Sequence, residues 1–84
     1  MQLKNPKKDY VLCFGTMIRE RRKALGMSAE DLAEKCNRSE REIRDIELGK
    51  SEPLFGTTLL LCQSCNVDMG ELEVFVPREE ISYV

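Results

Sequence analysis

Ser28-Ala29-Glu30-Asp31-Leu32-Ala33-Glu34-Lys35-Cys36-Asn37-Arg38-Ser39-Glu40-Arg41-Glu42-Ile43-Arg44-Asp45-Ile46-Glu47-Leu48-Gly49-Lys50 is the stretch that decides how the whole chain reads. A serine opens each half of it. Ser28 can accept a hydrogen bond as an N-cap, and Glu30 and Asp31 sit in the first turn, where the helix dipole favours negative charge. Ala29 to Cys36 then reads as a short helix with Leu32 and Ala33 facing inward. Asn37-Arg38 makes a turn. Ser39-Glu40-Arg41-Glu42 has the form of a capping box: the serine binds the amide three residues on, and Glu42 reaches back. The helix that follows runs from about Glu40 to Leu48, with Ile43 and Ile46 inward. Gly49 closes it, and Pro53 prevents it from resuming.

Upstream, Val11, Phe14, Ile18 and Leu25 recur at helical spacing among charged residues, which predicts a first helix from about Tyr10 to Leu25, stopped at Gly26. Downstream, Thr58 to Cys65 reads as a fourth, largely buried helix, and Asp68-Met69-Gly70-Glu71 starts a short fifth one. Val74-Phe75-Val76-Pro77 reads as extended. The expected architecture is therefore all-α, five short helices with a short extended tail. Residues 1–9 would form a flexible arm, 10–73 the domain, and 74–84 a tail that either folds back or meets a second copy.

Composition narrows the class. The chain has 84 residues, of which 42% are apolar and 33% charged, the balance of a single small globular domain. No apolar run reaches the roughly 18 residues that span a bilayer, and the basic start leads into no signal-peptide core, so a cytoplasmic protein without membrane contact is expected. Cys62 and Cys65 form a C-x-x-C, but there is no histidine, and Cys13 and Cys36 stand alone. Structural zinc sites of this kind need a second pair of ligands, so the two cysteines read as small core residues three apart on one helix face, and no cofactor or metal is expected.

Net charge is −2, but it is unevenly spread. Residues 1–50 hold twelve Lys/Arg against nine Asp/Glu, a net of +3; residues 51–84 hold one against six, a net of −5. From Arg38 to Lys50 there are four basic and four acidic residues, so this stretch, from the turn to the end of the second helix, sums to zero. Binding to a polyanion depends on where charge lies as well as on its sum.

Two short helices joined by a tight turn, the second with its own cap, meet the requirements of a helix-turn-helix. In that arrangement the second helix offers its N-terminal residues to base edges in the major groove. Beyond this spacing, residues 18–72 resemble the phage repressor and Cro-like family of XRE-type regulators. The likeness is carried by Ile18-Arg19-Glu20-Arg21-Arg22-Lys23-Ala24-Leu25-Gly26-Met27-Ser28, Asp31-Leu32-Ala33-Glu34-Lys35, Ile43-Arg44-Asp45-Ile46-Glu47-Leu48-Gly49-Lys50, Pro53, and Asn66-Val67-Asp68 before Leu72. The resemblance implies a five-helix, repressor-like fold that binds double-stranded DNA as a homodimer on a two-fold operator. It also implies a buried ion pair between Arg22 and Glu47, and phosphate contacts from Ser28 and Lys50.

Ser39, Glu40, Arg41, Arg44 and Asp45 are the candidate DNA-facing positions of the reading helix. An arginine can bind guanine bidentately and a carboxylate can accept from cytosine N4. Ion pairing along the helix, Glu40 with Arg44 or Arg41 with Asp45, is the competing use of the same side chains. Two departures from the family pattern stand out: Ala29 occupies a position where glutamine is usual, and the reading helix carries acidic residues among the basic ones. The expected function is transcriptional regulation, as a repressor, by sequence-specific DNA binding. A protein-interaction module with little DNA affinity, such as an antirepressor or adaptor, is the alternative. An enzyme is not expected, because no nucleophile–base pair, phosphate-cradling loop or small-molecule site is legible.

Overall fold

A computed structural model describes the backbone of residues 6–75 and the side chains of residues 10–72. Four α-helices and a closing 3-10 helix make up the described chain, in the order α1 (Pro6–Ala24), α2 (Ala29–Cys36), α3 (Glu40–Glu47), α4 (Phe55–Ser64) and the 3-10 helix (Met69–Phe75). Helix α1 begins four residues earlier than the periodicity indicates, so residues 6–9 belong to it and not to an arm. Pro6 suits this place, since its fixed φ and missing N–H cost nothing in a first helical turn. No described helix is long and apolar enough to cross a membrane.

Packing follows from the periodicities. Val11, Phe14, Ile18 and Arg22 form the buried stripe of α1. Ile18, Leu32, Ile43, Ile46 and Leu61 meet in the centre, at 1% exposure or less, with Cys36, Cys62 and Cys65 filling the space between α2 and α4. Leu25, which shares the helical spacing of that stripe, lies just past the end of α1 and is 46% exposed. The hydrogen bonds Gly26 N–H to Lys23 O and Met27 N–H to Arg22 O turn the chain away before Leu25 can pack.

Turns and caps fix the angle between α2 and α3. Asn37 takes up a left-handed conformation, φ 54° and ψ 47°, and the Arg38 N–H closes on Ala33 O at 2.9 Å. Asparagine is one of the few residues other than glycine that adopts this conformation readily. The reciprocal capping box is at Ser28, where the Asp31 N–H donates to Ser28 Oγ and the Ser28 N–H donates to Asp31 Oδ2. Ser39 caps the Glu42 N–H at 3.1 Å, but Glu42 does not reach back as expected; its carboxylate turns towards Arg38, 3.7 Å away.

Two further boundaries differ from expectation. Helix α4 starts at Phe55 and not Thr58; its N-cap, Leu54, makes no side-chain cap bond, so no sequence signal marks the start. The fifth element is a 3-10 helix that continues through Phe75, so Val74 and Phe75 are not extended. Residues 76–84, the rest of the expected tail, lie outside the described residues, as do residues 1–5 of the expected arm. The 3-10 helix is held to α1 by Arg21, which pairs with Glu71 and donates to Asn66 O.

One close approach makes α3 sit where it does. A Cβ on Gly15 would lie 2.1 Å from the Ile46 carbonyl oxygen and 3.0 Å from Glu47 Cα. Only a glycine lets the middle of α1 touch the backbone at the end of α3. An alanine in a helix interior normally stabilises it by about 0.5–1 kcal/mol relative to glycine. Gly15→Ala is expected to do the reverse, because the obstruction is backbone, and to lower stability by about 1–3 kcal/mol. Gly56→Ala in α4, where a Cβ meets nothing within 4 Å, is the control. Urea unfolding of the two variants side by side tests this: loss for Gly15→Ala with no loss for Gly56→Ala is the expected result.

Candidate nucleic-acid interface

Helix α3 is eight residues long and has two different faces. Ile43, Ile46 and Glu47 are buried, while Arg41 and Arg44 are exposed and Glu40, Glu42 and Asp45 are half-buried. The buried face is fixed by both apolar contact and charge. Arg22 Nε donates to Glu47 Oε2 at 2.7 Å, and Arg22 Nη2 donates to Glu47 Oε1 at 3.0 Å, a bidentate pair with side chains only 9% and 5% exposed. The remaining nitrogen, Nη1, donates to Met27 O at 2.9 Å. The hydrogen bond to Glu47 holds the Arg22 guanidinium pKa above its usual value, so the guanidinium is charged at every working pH.

The exposed face carries the residues expected to meet DNA. Arg44 is committed: its Nε and Nη2 both donate to Glu40 Oε2, at 2.9 and 2.5 Å. Asp45 makes no pair with Arg41, so of the two alternative i,i+4 pairs only Glu40–Arg44 is present. Arg41 and Lys50 have no ion-pair partner among the described residues. Lys50 is anchored by its backbone, whose N–H donates to Asp45 O at 2.8 Å just after the left-handed Gly49. Ser28 and Ser39 both use a hydroxyl lone pair for capping. Each keeps its O–H hydrogen, which a phosphate oxygen could accept.

Ala29 is 4% exposed and part of the apolar core. The position where a glutamine is usual therefore serves packing in this chain. Arg38, read from sequence only as a turn residue, ties the reading unit to α4: its Nε donates to the buried Thr57 Oγ1 at 3.2 Å. Its i,i+4 spacing to Glu42 was visible in the sequence, but the bond to Thr57, nineteen residues on, was not. Sequence reasoning also did not find Leu54 and Phe55, 79% and 72% exposed at the start of α4.

Among the described residues no group of three or more His, Cys, Asp or Glu side chains could hold a metal ion. Cys62 and Cys65 are buried, and burial pushes the Cys65 thiol up to about 11, which keeps it protonated and unreactive at neutral pH.

Two predictions test this scaffold. Glu47→Ala removes one partner of a buried pair and strands the Arg22 charge, so a loss of about 3–5 kcal/mol is expected in denaturant unfolding. A loss below about 1 kcal/mol would mean that the guanidinium finds water. The second concerns acid. The Ser28 N–H lowers the Asp31 carboxyl pKa, and the Asp68 N–H, then Arg21, lower that of Glu71. Folded-state values below the usual 3.8 and 4.5 mean that both groups stabilise the fold fully above those values. That contribution is lost as pH falls through the depressed values. The urea midpoint should be flat near neutrality and fall below about pH 4.5, and less steeply in Asp31→Asn.

Comparison with curated proteins and with solved structures returned no match. The helix-turn-helix family model matches residues 18–72, from the middle of α1 to the 3-10 helix. That span covers more than half of the chain and contains the whole α2–turn–α3 unit, so this protein belongs to the XRE-type helix-turn-helix family of DNA-binding regulators.

Proposed function

We propose that this chain is a cytoplasmic transcriptional repressor that binds a specific duplex operator as a homodimer, with α3 in the major groove. The observation that carries the reading is the exposed Arg41 on the first turn of α3, a guanidinium with no ion-pair partner among the described residues, on a helix whose other face is locked to α1. An uncommitted arginine there can place two donors on guanine O6 and N7. Lys50, Ser28 and Ser39 stand at the ends of the same unit as phosphate contacts. They fix orientation without reading sequence. Glu40, Arg44 and Asp45 complete the face presented to the groove. One such unit makes few base contacts, and a second copy on an adjacent half-site supplies the remaining specificity.

A second reading has its own support. Leu54 and Phe55 stand out from the surface at the start of α4, and α3 carries more acidic than basic residues, a combination that favours a protein partner. The two readings part on duplex affinity. Non-specific binding comes almost entirely from neutralised phosphates, so a gel shift on random duplex at low salt is expected to show a complex, whereas an adaptor would show none.

Specificity is tested on duplexes selected from a random pool. Arg41→Ala is expected to cost about 1–3 kcal/mol and to relax one base position, whereas Lys50→Ala should weaken all sequences evenly and reduce the salt slope by about one. An even loss for Arg41→Ala would make it a phosphate contact. Sedimentation of the protein with a two-fold selected site is expected to give two chains per duplex.

A further inference from the structure

The Glu40–Arg44 pair divides its atoms unevenly. Both contacts from Arg44 fall on one oxygen, Glu40 Oε2. Glu40 Oε1 and Arg44 Nη1 make no hydrogen bond among the described residues. The side chains are 42% and 61% exposed, on the flank of α3 next to the buried Ile43. An acceptor, Oε1, and a two-hydrogen donor, Nη1, are thus held together on the outer surface of the reading helix.

From this we infer that Glu40 and Arg44 act as one reading unit, selective for a C·G base pair, in which Glu40 is the specificity-determining residue. The inference rests on the DNA-binding reading proposed above. In the major groove a C·G pair shows the cytosine N4–H donor next to the guanine O6 and N7 acceptors. Oε1 can accept from N4–H while the two hydrogens of Nη1 reach O6 and N7. Thymine presents the O4 acceptor, which faces the carboxylate with like charge. An A·T pair offers the adenine N6–H with the thymine O4 beside it, but a methyl group stands where guanine has N7, leaving one Nη1 hydrogen without a partner. The carboxylate has a second effect: it holds a cation that would otherwise be free to join any phosphate, so affinity for unrelated sequence is reduced.

The pair is exposed and contributes little to stability, so its variants are expected to fold; thermal unfolding followed by circular dichroism checks this before any binding measurement. Duplexes selected from a random pool by the wild-type chain are then varied one base pair at a time. A C·G pair is expected at one position per half-site, preferred over the other three on the order of 5- to 150-fold. Glu40→Ala and Arg44→Ala should each abolish that preference at the same position, and the double variant should lose no more than either. Glu40→Ala should also bind random duplex more tightly, with a log–log salt slope steeper by about 0.9 as Arg44 moves to a phosphate. If the two single variants affect different positions, or neither alters a preference, or the selected pair is A·T or T·A, the unit is overturned while DNA binding stands. If the wild-type chain selects no duplex at all, both readings fall together.

Discussion

The position of every residue in the reading unit depends on the bidentate pair between Arg22 and Glu47. Arg22 closes the buried stripe of α1, and Glu47 is the last residue of α3, so the pair joins the C-terminal ends of two helices far apart in sequence. Its third donor holds Met27 O, immediately before the Ser28 cap of α2. One guanidinium therefore sets the relation of α1, the start of α2 and the end of α3. The planar fork of arginine matches a carboxylate edge with two parallel hydrogen bonds, a geometry lysine cannot reproduce. Burial makes the pair costly to break and not especially stabilising to have, so its main consequence is geometric.

The close contact at Gly15 is part of the same constraint. The pair draws the end of α3 onto α1, and the missing side chain at Gly15 allows the two backbones to meet. With its inner face occupied by Ile43, Ile46 and Glu47, α3 has one orientation available, and that orientation exposes Arg41 and Arg44. Specific reading of a groove needs side chains held on a rigid element, and here the rigidity comes from the opposite side of the helix. Helix α3 carries four acidic residues against two basic ones, so its overall charge gains nothing from the general field of DNA.

Much of this was legible in the sequence because its signals are local. The 3.6-residue spacing of Val11, Phe14 and Ile18, the serine caps at positions 28 and 39, and the stops at Gly26, Asn37 and Gly49 involve neighbours within a turn or two. They determined α1, α2 and α3 and the break between α2 and α3. Where the signals are absent, boundaries moved. Leu54 offers no cap side chain, so the start of α4 was not marked, and Pro6 extended α1 beyond its apolar stripe. Leu25 kept the helical period but lost its place in the core to the turn at Gly26.

By itself, then, the sequence determined the all-helical class and the helix-turn-helix, and it named the candidate DNA-facing residues, because each follows from patterns within one element. The tertiary structure alone decided how those residues are used. That Arg44 is held by Glu40 while Arg41 has no ion-pair partner among the described residues could not be chosen from two equally good i,i+4 spacings; it depends on rotamers set by the packing of α3. That Glu42 turns to Arg38, and Arg38 to Thr57, depends on where α4 returns to the turn. That Ala29 serves the core depends on which side of α2 meets the rest of the fold. Each of these is a contact between elements, and a contact between elements exists only once the chain has folded and several side chains compete for the same partner.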